Sequence, residues 1–213
     1  MNILRAHPAQ SELLTLRQAI VETGRIAYER GHLTANDGNI STRLPGERIL
    51  ITPAGLCKGR LAPEDLLIVD MNGRLLIPAA DPSLRPTSEQ PMHLEVYRQR
   101  PDVHAVLHAH PAFATALTVA NKPLRNDVLP EVIMLLGDIP ITDYATPSSQ
   151  ENADVIRELI RTHDALVLRQ HGSLTVGRTL DEALITLDRL EHVAKVLALA
   201  EMMGQVTPWP LKI

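Results

Sequence analysis

From Pro86 onward the chain alternates helix-type and strand-type patterns, and that alternation places it among α/β folds. Residues 87–101, TSEQPMHLEVYRQRP, predict a helix capped by Thr87 or Ser88 that ends before Pro101. A strand over 105–110, a helix over 112–120, a strand over 139–144, a helix over 149–163 and a buried strand over 165–170 follow, each bounded by Pro, Asp, Asn or Gly. Residues 179–204 predict a long core-packing helix, also a candidate subunit contact, with Asp181 and Glu182 where its dipole favours negative charge and Gly204 at its end. Upstream, residues 11–31 predict one amphipathic helix with Leu13, Leu16, Ile20 and Ala27 on a stripe, Ser11 as N-cap and Gly31 as C-cap. Short runs rich in Ile, Leu and Val at 39–43, 48–53 and 66–78 predict strands, with Asn72-Gly73 as a hairpin turn.

Nothing in the 213 residues reads as a linker, so a single domain over 1–213 is expected. The aromatics are Tyr28, Tyr97, Phe113, Tyr144 and Trp209, too few and too scattered for base stacking, so the core must be aliphatic. A net charge of −4 gives no bulk attraction to nucleic acid or to a membrane surface. No stretch approaches the ~20 apolar residues of a membrane span, and the first ten residues lack a signal-peptide core, so a cytoplasmic protein is expected. The single cysteine, Cys57, can form no internal disulfide and is expected to be a plain loop or core residue.

Chemistry enters at AVLHAHP, residues 105–111. Alternate strand residues share a face, so His108 and His110 leave a strand on the same side, about two rises of ~3.3 Å apart. Two imidazoles so placed can share one ion, or they can be hydrogen-bonded edge residues. A third histidine, His171, follows the apolar run ALVLRQ, and the strands bearing the three are candidate neighbours. Three imidazoles would make an open metal site with room for water, substrate or a carboxylate. The other histidines have blander places: His7 in the N-terminal segment, His32 after a helix end, His163 and His192 on charged helical segments, and His93 and His104 toward the surface.

DGNIS (37–41), ITPAG (51–55), PTSEQPMH (86–93), RPDVHAVLHAHP (100–111) and LRQHG (168–172), in that order, resemble the class II aldolase and adducin head-domain family. The resemblance covers nearly the whole chain. It implies a three-layer α/β/α domain whose central, mostly antiparallel sheet is covered by helices on both faces. It also implies one zinc ion, or another divalent cation, per subunit, held by Glu89, His108, His110 and His171, with Glu89 as the catalytic base. The phosphate-loop positions of the family fall on Gly38, Asn39, Ala54, Gly55, Thr87 and Ser88, with Ala54 standing where a threonine is common.

The activity implied resembles that of fuculose-1-phosphate aldolase, the reversible cleavage of a ketose 1-phosphate to dihydroxyacetone phosphate and an aldehyde. The family also contains sugar-phosphate dehydratases and epimerases, and a non-catalytic interaction module like the adducin head. A glutamate rather than an aspartate at position 89 points toward the aldolases. The chemistry needs an electron sink, and none of Lys58, Lys122, Lys195 and Lys212 lies in an apolar strand where burial would prepare a Schiff base, so a metal is expected. Family members form homotetramers with active sites between subunits. Glu131 stands where the aldolases offer a tyrosine to the neighbouring subunit, and is expected to be a second proton-transfer group.

Overall fold

The computed structural model describes residues 10–210; His7 and Lys212 lie outside them. Helix α1, Gln10–Glu29, leads into strands β1, Asn39–Leu44, and β2, Arg48–Ile51, then the hairpin of β3, Leu67–Asp70, and β4, Leu75–Ile77. Helix α2, Gln90–Gln99, strand β5, Ala105–Ala109, and helices α3, Ala112–Val119, α4, Pro130–Leu135, and α5, Gln150–Ile156, come next. Strands β6, Ala165–Leu168, and β7, Gly172–Gly177, precede helix α6, Leu180–Met203. Among the described residues the seven strands form one sheet in the order β4-β3-β2-β1-β5-β7-β6, and every neighbouring pair is antiparallel.

Strand alternation divides the core. Ala105, Leu107 and Ala109 of β5 pack with Ile20 and Ala27 of α1 and Leu184 and Leu187 of α6. Val106, on the other face, packs with Met92, Val96 and Tyr97 of α2 and Ile156 of α5. Helices thus cover both faces, the three-layer arrangement expected. Each fully buried Leu or Ile contributes ~1.5–3 kcal/mol. His108 shares the face of Val106, and the sheet carries it under the start of α2.

Several local expectations change. Ser11 lies inside α1, where its carbonyl accepts from Thr15 Oγ1, and α2 has Glu89 rather than Thr87 or Ser88 as N-cap. The predicted strand over 139–144 reduces to one bridge, Ile141 to Val167, because Pro140 has no N–H to give to a ladder. The helix expected over 149–163 stops at Ile156 and resumes as a short 3-10 turn, Leu159–Arg161. The strand 165–170 does not lie beside β5, since β7 is inserted between them.

Candidate active site

The carboxyl end of β5, the turn entering β7 and the N-cap of α2, Glu89, converge on one point. Pairing with β1 sets Asn39 opposite His108, and pairing with β7 sets Ser173 opposite Ala109. The β6–β7 turn carries His171, and its Gln170 holds a left-handed φ of +53°, a strain of ~1–3 kcal/mol that surrounding contacts must fix. The Gln170 N–H donates to Thr118 Oγ1 at 2.9 Å, which anchors that turn to α3.

His108 is wholly buried, and its Nδ1–H donates to the Ser173 carbonyl at 2.8 Å. A carbonyl only accepts, so Nε2 of the neutral ring carries a lone pair. That lone pair faces Glu89 Oε2 at 3.0 Å and His110 Nε2 at 3.0 Å, while His171 Nε2 lies 3.4 Å from Glu89 Oε1. Acceptors this close, with burial shielding them from water, fit a cation between them. Donors on a tetrahedral zinc with bonds of ~2.0–2.1 Å stand ~3.3 Å apart, close to these three separations. One ligand atom from each of Glu89, His108, His110 and His171 lies within 4.8 Å of the others, so the donor set suits zinc or a related divalent ion. His171 Nδ1 is buried with no hydrogen-bond partner among the described residues.

Burial, then the neighbouring His108, pushes the pKa values of His110 and His171 down to about 4, so both present neutral rings. Burial alone would raise the pKa of Glu89. Positive charge at His108 Nε2, a proton in the metal-free site or a cation bound there, outweighs it together with the Asn39 amide and holds the carboxyl ionised.

A cleft of about 220 Å³ opens beside the cluster. Gly38, Asn39, Ala54, Gly55, Thr87 and Ser88 all line it, together with Glu89, His110 and His171. A larger cleft of about 400 Å³ lies elsewhere, but its Arg100 and Arg178 are already paired with Asp102, Asp164 and Glu182. Glu131 is exposed in the first turn of α4 and does not line the cleft of its own chain.

Three residues at the site escape the sequence reading. Lys58 is 2% exposed in the cleft wall, and burial lowers its pKa, contrary to the expectation for the lysines. Its Nζ donates to the carbonyls of Asn36, at 2.5 Å, and Leu56, at 2.8 Å, so it ties two cleft loops together and is not free to attack a carbonyl. His93 is not at the surface but wholly buried, two hydrogen bonds from the cluster. Asn152, from α5, donates to Glu89 Oε1 at 3.4 Å.

The model of the Class II Aldolase and Adducin N-terminal domain matches residues 18–198. The chain is 37% identical over 172 residues to the L-fuculose phosphate aldolase of Methanococcus maripaludis, an alignment covering 81% of this chain and 90% of that one. It is 33% identical to the 3-oxo-tetronate 4-phosphate decarboxylase of Haemophilus influenzae, over 86% of this chain and 87% of that one. The crystal structure of L-fuculose-1-phosphate aldolase from Thermus thermophilus superposes with a TM-score of 0.76 at 30% identity, over 91% and 98% of the two chains. Sequence, topology and the facing donors agree: the chain belongs to the class II aldolase and adducin N-terminal domain family and is an enzyme of it.

Proposed function

We propose that the protein is a zinc-dependent aldolase that cleaves a ketose 1-phosphate reversibly to dihydroxyacetone phosphate and an aldehyde. The observation that carries this reading is the convergence of four donors on one point, with His108 Nε2 3.0 Å from the Glu89 carboxylate and His110 and His171 beside them, a set that suits a shared cation. Zinc held by Glu89, His108, His110 and His171 would act as Lewis acid for the two oxygens of the enediolate left by bond cleavage.

The chain's own groups supply the rest. Gly38, Asn39, Ala54, Gly55, Thr87 and Ser88 seat the phosphate against backbone N–H groups and hydroxyls, in a cleft whose size suits a short sugar. As the C3–C4 bond breaks, the C4 hydroxyl gives up its proton and the electron pair stays on C3. Glu89, ionised in the resting site, takes up a proton from solvent when substrate binds and delivers it to C3, while Glu131 of a neighbouring subunit takes the hydroxyl proton. Such a subunit contact gains support from Met134 and Leu135, which stand 80% and 58% exposed on the same short helix as Glu131, with Val119 64% exposed on α3. With it we propose the homotetramer, with active sites between subunits, that the resemblance to the family implies.

A second reading is favoured by the Haemophilus relative. Loss of carbon dioxide from a 3-oxo acid phosphate leaves the same enediolate, but without a hydroxyl proton to remove. Incubating zinc-loaded protein with a panel of ketose 1-phosphates and with 3-oxo-tetronate 4-phosphate, and measuring dihydroxyacetone phosphate and carbon dioxide, separates the two. Dihydroxyacetone phosphate formed from a ketose 1-phosphate supports the aldolase. Turnover confined to the 3-oxo acid, with release of carbon dioxide, replaces it by the decarboxylase.

A further inference from the structure

Strand β1 and helix α2 meet through a row of polar side chains set inside an apolar interface. Asn39, Ser41 and Arg43 alternate along one face of β1, and Glu89, His93 and Tyr97 recur at four-residue intervals where α2 begins and continues. The two series interlock. Asn39 Nδ2 donates to Glu89 Oε2 at 2.9 Å, His93 Nε2 meets Asn39 Oδ1, and Ser41 Oγ stands 2.7 Å from His93 Nδ1 and 2.8 Å from the Tyr97 hydroxyl. The Arg43 guanidinium lies over the Tyr97 ring and donates to the Tyr97 carbonyl at 2.7 Å. His93 and Ser41 are wholly buried, and Asn39 and Tyr97 are 2% exposed.

Only one placement of hydrogens satisfies this row. A carboxylate only accepts, so Asn39 turns its NH2 to Glu89 and its carbonyl to His93. That carbonyl only accepts, so the neutral His93 carries its proton on Nε2. Nδ1 is then a lone pair that takes the Ser41 hydrogen, and the Ser41 oxygen accepts from Tyr97. Burial keeps His93 neutral, with a pKa pushed down to about 3.

We propose that His93 is a positioning residue for Glu89: the one-way chain from Tyr97 through Ser41, His93 and Asn39 holds the Glu89 carboxylate in a single orientation against His108. This rests on the reading of Glu89 as ligand and proton carrier. Without the His93 donor, the Asn39 carbonyl is left buried and unpaired, and the amide shifts to relieve it, taking its grip on Glu89 with it. Partners one step behind metal ligands typically contribute 10–100-fold to metal affinity or activity.

Nitrogen-15 spectra of the zinc-loaded protein at pH 7 are expected to show His93 as the neutral Nε2–H tautomer. An Nδ1–H tautomer or an imidazolium overturns the proposal. His93→Phe keeps a ring and removes both polar atoms. Zinc affinity, kcat or both are expected to fall 10–100-fold with KM little changed, and the double variant His93→Phe/Asn39→Ala to be no worse than Asn39→Ala alone. Additive losses, or reduced thermal stability with unchanged zinc affinity and kcat, make the row merely structural and overturn the proposal. If His93→Phe does not fold, Ser41→Ala removes one hydroxyl only, and His93 is expected to keep the Nε2–H tautomer that the Asn39 carbonyl fixes while its Nδ1 resonance moves on losing the Ser41 hydrogen; an Nδ1–H tautomer, or an unmoved Nδ1 resonance, overturns the order of the chain. The tautomer and the zinc titration need no substrate. They therefore fail or succeed independently of the proposed cleavage reaction, whose own failure would appear as a lack of turnover in the unaltered protein.

Discussion

Gly172 runs so close to Ala109 that a Cβ added to it would lie 2.3 Å from the Ala109 carbonyl oxygen and 2.8 Å from Cδ2 of His110. The glycine after His171 is therefore a spacing requirement, because it lets β7 approach β5 until the three imidazoles, with ring centroids 4.8 to 5.0 Å apart, face one another. Gly172→Ala is expected to fold with β7 displaced and to weaken zinc binding by 10-fold or more. A competition titration with a chromophoric chelator measures this, and unchanged affinity would show that the strand can yield.

His171→Ala should lose metal and activity together, since two histidines on one strand and a carboxylate form a poorer cage than four donors. Metal analysis after gel filtration and an activity assay check it. Wild-type turnover in this variant would remove His171 from the site.

Glu89→Gln should retain substantial zinc but lose ~10²–10⁴-fold in kcat, because an amide carries no exchangeable acid at neutral pH. Survival of turnover would place the proton carrier elsewhere. Glu131→Gln is expected to lose a similar factor with metal content unchanged, and mixing it with Glu89→Gln subunits should restore part of the activity through shared sites. A loss without recovery, in oligomers shown to exchange subunits, would put Glu131 in its own subunit's site.

Lys58 donates to carbonyls in two separate loops, those of Asn36 and Leu56, that wall the cleft. Lys58→Met frees both loops, and KM for a phosphorylated substrate should rise ~10–100-fold, the worth of ~1.5–3 kcal/mol for hydrogen bonds to a charged group. An unchanged KM would make this cation irrelevant to substrate binding.

The metal-free protein should lose stability on acidification. Burial, followed by the influence of His108, lowers His93 to about 3 and His110 and His171 to about 4 from an ordinary 6.5. The unfolded chain binds these protons more readily, so stability is full above pH 6.5 and declines as pH falls through that window. At 1.36 kcal/mol per pH unit, His93 alone accounts for ~2 kcal/mol between pH 6.5 and pH 5. Urea unfolding at pH 7.5 and pH 5 tests this, and equal midpoints would contradict a buried neutral His93.

The pattern of the site was legible where local geometry dictates it. Strand alternation alone placed His108 and His110 together, and an apolar run ending in His171 put a third ring within reach. Glu89 and the loops that line the cleft needed the family resemblance, since a glutamate at the start of a helix is common without any site. His93 was hidden because its neighbours Gln90, Glu95 and Arg98 suggest a helix open to water, whereas α2 is buried from Met92 through Tyr97. The four-residue spacing of Glu89, His93 and Tyr97 was the available signal. Lys58 gave none, because its burial depends on how separate loops fold over it. Helix α4 escaped notice, at six residues too short to show a period.

The four facing donors come from distant parts of the chain: the start of α2, the end of β5 and the turn entering β7. A polypeptide made N-terminus first exposes Glu89, His108 and His110 well before His171, and the last donor arrives only when β7 threads between β5 and β6. Small zinc domains, whose ligands sit a few residues apart, can use the ion as the seed of folding. Here the donors converge only through strand pairings distant in sequence, so a divalent ion would enter a site that the sheet has already built. Scarcity of the metal in the cell would then leave a reservoir of assembled, inactive molecules, ready to be switched on by supply without new synthesis.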